Sequence, residues 1–446
     1  MIVMKFGGTS VKDAQALGRA CRIVHSRLDR APLVVVSALS GVTSSLLEAA
    51  RLAGQDAISD SMDIFERLRT LHLGLMPSLE TDLNGLKEAL REVSEAKSLS
   101  PQMEDRIASY GEILSSQIFA NHLEPLAPTT HVDAQKCLIT DDNFGRANPI
   151  LEDTAKAADQ MLRPLIQVGR AVVMGGYVGS TRSGETSTLG RGGSDYSATL
   201  FASCLEADEV EIWTDVDGMM TADPRVVENA LTIRHISFAE ASELAYFGAK
   251  VLHPSTVLPA IQKAIPVRVL NSRRPEGAGT VISSDAPVGK SMVKSFAAKR
   301  PIASVTVTSS RMLMAHGFLR ALFEVFDKHR ISVDVVTTSE VSVSLTMDDS
   351  SDLEAVVEEL ALLGKVEVER DLALVCMVGT NLKDRPGIAA QTFACVSSIN
   401  IRMISQGASE INISFVVGEE HADTAIRLLH EHFFRSPDPE IFERID

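Results

Sequence analysis

A lysine closes the first apolar run of this sequence, Ile2 to Phe6, and Gly7-Gly8-Thr9-Ser10 follow it. A strand that empties into two glycines before a helix makes a turn of the kind that cradles phosphate. Lys5 stands where its ammonium reaches over that turn. The lysine precedes the glycines, so this is not a Walker A motif. A second stretch with the same chemistry runs from Gly184 to Gly218. Gly190, Gly192 and Gly193 allow sharp turns and close approach of a ligand to the backbone. Arg191 sets a cationic fork beside them. Ser194 and Asp195 are candidate N-caps for the helix that continues through Ala198, Leu200 and Phe201. An open helix start favours an anion by geometry and dipole. The plainer reading of both stretches is an ordinary strand-to-helix loop.

The elements that must position these groups follow from the pattern. Pro32 to Val36 reads as a buried strand leaving into Ser37-Ala38-Leu39-Ser40-Gly41-Val42-Thr43. Small hydroxyl residues there suit a crevice at the carboxyl ends of parallel strands. Residues 46–99 read as a charged helical hairpin over the sheet, a possible lid. Met103 to Leu123 is a longer helix carrying Glu112. Ala171 to Met174 is another strand, with a glycine-rich exit at Gly175-Gly176-Tyr177-Val178-Gly179. Glu209 to Trp213 is a strand that ends in Thr214-Asp215-Val216-Asp217-Gly218. Asp141 and Asp142, beside Asn143 and Gly145, read as a solvated turn rather than a metal site. Strand and helix alternate to about residue 290, which implies a largely parallel sheet with helices on both faces.

Beyond residue 295 the pattern changes. Ile302 to Val307, Gly317 to His329, Ile331 to Val336, Val341 to Thr346, Leu353 to Leu363 and Lys365 to Glu369 read as βαββαβ. Leu372 onward repeats that order, giving a pair of ferredoxin-like α+β modules. Asp384-Arg385-Pro386-Gly387, just before a helix, suggests a small-ligand pocket.

The chain has 446 residues, 45% of them hydrophobic, and a formal charge of −16. The first two figures allow several real cores. The third argues against nucleic acid or an anionic membrane as partner. Five scattered cysteines without a CxxC pair suit a reducing cytoplasm and no structural zinc. The N-terminus shows no signal-peptide pattern and no run nears 18 apolar residues, so a soluble cytoplasmic protein is expected.

Taken in order, several runs resemble aspartokinase, of the amino-acid kinase superfamily, along nearly the whole chain. They are Lys5 to Val11, Gly190-Arg191-Gly192-Gly193-Ser194-Asp195-Tyr196-Ser197-Ala198, Thr214 to Gly218, Asp223-Pro224-Arg225, and Phe247-Gly248-Ala249-Lys250-Val251-Leu252-His253-Pro254. The tail resembles paired ACT domains. Gly317-Phe318-Leu319 with Thr337 to Val343 is similar to the lysine-inhibited, single-function class.

The resemblance implies a three-layer αβα amino-acid-kinase fold over residues 1–292 and ACT domains at 301–370 and 371–446. It implies transfer of the ATP γ-phosphoryl group to the side-chain carboxylate of L-aspartate, with Mg²⁺ bridging ATP oxygens and no dedicated protein metal site. It further implies that Lys5, with the N–H groups of Gly7 and Gly8, holds the transferring phosphate. Arg191 pairs with the substrate α-carboxylate, and Glu112 holds its ammonium, with Asp195 nearby. Ser37 and Thr43 add hydroxyls. Thr214 and Asp215 contact base and ribose, while Arg225 and Lys250 neutralise phosphates. Met220 stands in the nucleotide region where an aromatic is expected, so stacking is lost there.

L-lysine, or threonine, is the implied effector, at Met312, Gly317, Phe318, Leu319, Val333, Asp334, Ser339 and Glu340. Asp334 or Glu340 would pair with a lysine ε-ammonium. Ala315 replaces the serine of lysine-inhibited members. His253, before Pro254 at a helix exit, reads as structural. A homodimer or dimer of dimers through the ACT domains is expected. The alternative reading is a non-catalytic or differently specific relative acting as an amino-acid sensor.

Overall fold

Five consecutive residues in each of Ile2–Phe6, Pro32–Val36 and Ala171–Gly175 are buried, because these strands lie inside a parallel sheet covered on both faces. The computed structural model describes residues 1–248, 252, 254–284, 286–287, 292–312, 316–349 and 353–444. The chain divides into two compact units, Met1–Met219 with Val251–Ala286, and Met220–Lys250 with Pro287–Asp446.

In the first unit the sheet order is Thr280–Ser283, Val267–Asn271, Glu209–Thr214, Ile2–Phe6, Pro32–Val36, Ala171–Gly175, Thr129–His131. Every neighbouring pair is parallel except Val267–Asn271 with Thr280–Ser283. Ile2–Phe6 lies between the strand that follows it in sequence and one far downstream. Chain connections therefore leave it in both directions, which opens a crevice at its carboxyl end.

Residues 46–99 differ from the expected hairpin. They form Val42–Gly54, Ile58–Leu75 and Glu80–Ala96. Phe65, Leu83, Leu86 and Leu90 are buried in one core with Phe6, Phe119 and Trp213. That burial makes these helices part of the body of the unit rather than a lid. The long helix runs Pro101–Leu123, capped by the Ser100 hydroxyl.

The second unit carries one six-stranded antiparallel sheet, ordered Val333–Thr338, Ser342–Asp348, Val293–Thr308, Lys365–Gly379, Asn412–Gly418, Met403–Gln406. Two expectations are corrected. The strand expected at Ile302 to Val307 starts nine residues earlier, at Val293, and spans 16 residues. Those expected at Lys365 to Glu369 and Leu372 to Gly379 are one strand of 15 residues. The two modules share both long strands. Their halves meet at register shifts near Lys299 to Ser304, so the pair is one continuous sheet. Local periodicity breaks there, as at Asp371 with φ 55°, while ladder pairing continues.

Among the described residues no helix is long and apolar enough to cross a membrane.

Candidate active site

Lys5 is buried at the end of its strand, and its Nζ lies 2.6 Å from Asp195 Oδ1. Asp195 sits in the first turn of helix Gly193–Leu205. That helix is not capped by Ser194 or Asp195, as the residue types suggest. Its N-cap is Gly192 in the left-handed region, φ 77°, with no side-chain cap bond. The Asp195 carboxylate turns to Lys5 instead, because an ammonium is a stronger partner than a backbone amide. The start of this helix lines the crevice and carries no side-chain cap on its first N–H groups. Arg191, exposed on the preceding loop, has no ion-pair partner among the described residues.

Gly8 is required by close packing. A Cβ there would meet the Ala38 carbonyl oxygen at 2.7 Å. Gly7 plays a different part from the one expected. Its N–H donates to the Trp213 carbonyl, 3.0 Å away, and continues the pairing between Ile2–Phe6 and Glu209–Thr214. That amide is spent inside the fold. Gly8→Ala should therefore reduce turnover by about 10- to 100-fold, since sub-ångström misplacement of the loop misaligns the reacting groups. Steady-state kinetics beside a thermal melt check this. Unchanged turnover would show that the loop's approach to Ala38 has no part in the reaction.

Glu112 is the group whose environment the sequence does not reveal. It is 4% exposed, and its Oε2 has no hydrogen-bond partner among the described residues. Burial pushes its carboxyl up to about 8, against the opposing pull of the Ala38 amide, Lys5 and the Ser194 hydroxyl. Two glycines let its helix sit this close. A Cβ on Gly111 would meet Ala38 Cβ at 2.8 Å, and one on Gly175 would meet Glu112 Cβ at 3.1 Å. Ser115 donates to the Ser37 carbonyl at 2.7 Å and pins the helix to the adjoining strand.

Lys5, Gly8, Ser37, Thr43, Glu112, Arg191 and Asp195 all line one cavity of about 680 Å³. It is lined by the uncapped helix start, by the Ser37 to Gly41 loop and by the first turn of helix Val42–Gly54. Tyr177 and Glu104 line it too, although neither stood out by type or spacing. Asp105 is buried and carries no signal in its local sequence spacing. Its carboxylate accepts from the Gly145 and Thr188 amides and the Thr188 hydroxyl, which ties down the cavity's outer loops. Asp141 accepts from Asn143 and Asn148, as expected for a turn.

Thr214 and Asp215 close the strand beside Lys5. The Thr214 carbonyl accepts from the Ser272 amide at 2.9 Å, and Ser272 Oγ receives the Ser10 hydroxyl at 2.8 Å. Asp215 is exposed, 3.8 Å from Arg273. Met220 and Arg225 belong to the second unit. The Arg225 guanidinium grips Asp223, with Nη2 2.6 Å from Oδ2, so in this structure it is a paired cation. Lys250, His253 and Ala315 lie outside the described residues.

Gly317, at φ 87°, caps helix Phe318–Lys328. Phe318 and Val333 pack against the core of the second unit, as does Met312, while Leu319 is exposed. Asp334, expected to pair with a lysine ε-ammonium, has partners within the chain. Its side chain is fully buried and holds Lys299 Nζ at 2.7 Å and the Tyr246 hydroxyl at 2.5 Å. The partners come from distant strands and helices, so proximity in sequence gives no hint of them. Ser339 bonds Ser342 across a tight turn, and Glu340 is exposed with no ion pair among the described residues. Among the described residues, no group of three or more His, Cys, Asp or Glu is placed to hold a metal.

Residues 1–271 match the model of the amino acid kinase family, and residues 375–433 match an ACT domain. The chain is 40% identical to lysine-sensitive aspartokinase 3 of Escherichia coli K12, covering 97% of this chain and 99% of that protein. It is 38% identical to chloroplastic aspartokinase 3 of Arabidopsis thaliana, over 97% of this chain and 82% of that one. The fold matches E. coli aspartokinase III crystallised with aspartate and ADP at a TM-score of 0.82 and 38% identity, covering 97% of this chain and all of that one. The same enzyme crystallised with lysine and aspartate also gives 0.82. A lysine over a glycine turn, an acid-paired helix start and a buried carboxylate around one cavity accompany these likenesses, and the chain belongs to the aspartokinases of the amino acid kinase family.

Proposed function

We propose that this protein transfers the γ-phosphoryl group of ATP to the β-carboxylate of L-aspartate. The observation that carries this reading is the cavity shared by Lys5, Arg191 and the buried carboxylate of Glu112. Lys5 and Arg191 as cations, with the unpaired carboxylate of Glu112 in the same cavity, match a zwitterionic amino acid that also carries a second carboxylate. Arg191 takes the α-carboxylate, with its planar fork suited to two parallel hydrogen bonds. Glu112 takes the ammonium, and Ser37 and Thr43 supply hydroxyls. The β-carboxylate then points toward Lys5. It is already an anion, so the attack needs no general base. The work is alignment of two anions and neutralisation of charge on the moving phosphoryl group.

Lys5 and the Gly8 amide hold that group, while Asp195 keeps the Lys5 ammonium oriented. Thr214, Asp215, Met220, Arg225 and Lys250 serve the nucleotide, Arg225 by exchanging Asp223 for phosphate. Mg²⁺ bound to ATP's own phosphate oxygens would supply further neutralisation. We place the catalytic domain at residues 1–292 and ACT domains at 301–370 and 371–446, with dimers forming through the latter. L-lysine is the proposed inhibitor. Because Asp334 is held by Lys299 and Tyr246, an incoming ammonium there must displace Lys299. Exposed Glu340 carries no such cost.

The test is direct. ATP, Mg²⁺ and L-aspartate together should yield an acyl phosphate that hydroxylamine traps as the hydroxamate, and L-lysine should suppress the signal. No hydroxamate at any aspartate concentration would refute the reaction. A rate indifferent to lysine would refute the effector alone, leaving threonine as candidate.

A further inference from the structure

Met220 and Arg225, assigned above to the nucleotide, sit on a segment that is pinched at its neck. The Thr221 amide donates to the Leu231 carbonyl at 2.9 Å, the Leu231 amide donates to Thr221 Oγ1 at 2.8 Å, and Met220 pairs with Thr232. The rest of the second unit grips this neck from two sides. On one, Ser295 Oγ donates to the Met220 carbonyl at 2.7 Å and the Phe296 amide donates to the Thr221 carbonyl at 2.9 Å. On the other stands the C-terminal helix Ala422–Phe433. His430 Nε2 lies 2.9 Å from Thr221 Oγ1, and Arg427 Nε donates to the Val226 carbonyl at 3.0 Å. Past the helix, Phe442–Glu443 pairs with Thr232–Ile233.

We propose that the C-terminal helix sets the affinity for ATP, with His430 as the positioning residue that anchors the neck of the Met220–Ile233 segment. The inference rests on the aspartate-kinase reading and deepens it. His430 is 3% exposed and its ring lies 4.6 Å from that of Phe434. Burial pushes the imidazole down to about 4, so it is neutral at neutral pH. Leu231 N–H already occupies a lone pair of Thr221 Oγ1. The Thr221 hydroxyl therefore has its proton to give, and an unprotonated Nε2 accepts it. The hydrogen-bond network assigns that tautomer. Thr221 becomes the joint at which a residue of the tail fixes the neck of the loop, four residues before Arg225.

The experiment uses the full-length enzyme with three variants, His430→Leu, His430→Gln and Arg427→Ala. ADP affinity is measured by calorimetry, beside KM for ATP and for aspartate. His430→Leu should weaken ADP and raise the ATP KM by about fivefold, the worth of one buried hydrogen bond, with kcat and the aspartate KM within about twofold. His430→Gln, whose amide oxygen can take the Thr221 proton, should restore most of the loss. Arg427→Ala removes an exposed contact to the same loop and should weaken ADP by about twofold to threefold.

ADP affinity unchanged in folded His430→Leu would overturn the proposal. So would ATP and aspartate KM values rising together, or no rescue by glutamine, since either marks general loosening. If His430→Leu does not fold, Arg427→Ala decides, and unchanged ADP binding there overturns it. A wild-type enzyme that binds ADP but makes no hydroxamate would defeat the aspartate-kinase reading instead, and the ADP titrations would still judge the role of the helix.

Discussion

Lys5→Ala should lower kcat by about 10²- to 10³-fold while the protein stays folded, the usual cost of losing one preorganised charge at a transition state. Two effects act together. The ammonium that meets the moving phosphoryl group is gone. Asp195, held by Lys5 at 2.6 Å, is left as an unpaired anion facing the place where phosphate must sit. The melting temperature should also fall, because Lys5 is buried and its loss leaves the Asp195 carboxylate without its ion-pair partner. Lys5→Arg should not rescue the rate, since a planar guanidinium presents its donors in a fixed fork rather than as a compact ammonium. A coupled ADP assay with a circular-dichroism melt gives both readings. Near-normal turnover in Lys5→Ala would remove the residue from the reaction.

The second large effect belongs to Glu112 and is visible in pH. With its carboxyl raised to about 8, most of the substrate-free enzyme carries Glu112 protonated at neutral pH. In the proposed binding mode the aspartate ammonium docks against the ionised form, so binding releases a proton. The aspartate KM should therefore fall as pH rises, by close to tenfold per unit below pH 8, and level off above it. The same shift acts on stability with a fixed sign. The folded value lies above the ordinary 4.5, so the folded state binds the extra proton. This contribution is complete below pH 4.5 and is lost as pH rises through about 8. Aspartate should then protect against thermal unfolding more strongly at pH 8 than at pH 6.

Glu112→Gln should raise the aspartate KM by about 10- to 100-fold, since a charge-assisted hydrogen bond is lost, and should flatten its pH dependence. A pH profile of KM for the two proteins checks this. An unchanged profile in the variant would place the proton elsewhere.

The chemistry-bearing turns could be read locally. Lys5-Phe6-Gly7-Gly8 and the Gly190 to Asp195 loop declare themselves because a strand, glycines and a helix start are short-range features. The same holds for the parallel sheet, whose buried strands read as unbroken apolar runs. What could not be read is which of these groups neutralises which. Asp195 has the sequence of a helix cap and spends itself on Lys5. Gly7 resembles Gly8 and yet gives its amide to Trp213. Asp334 looks like a surface acid and is sealed by Lys299 and Tyr246. The two tail modules read as separate repeats, while Val293–Thr308 and Lys365–Gly379 run through both.

The amino-acid order alone determined the class of fold, the loops that can cradle an anion, and the family to which the chain belongs. Tertiary structure alone decided the charge state of Glu112, the pairing of Lys5 with Asp195, and the anchoring of Thr221 by His430. The physical reason is that glycine turns and apolar periodicity act within a few residues. Desolvation and ion pairing depend on which distant elements are packed within hydrogen-bonding distance of one another.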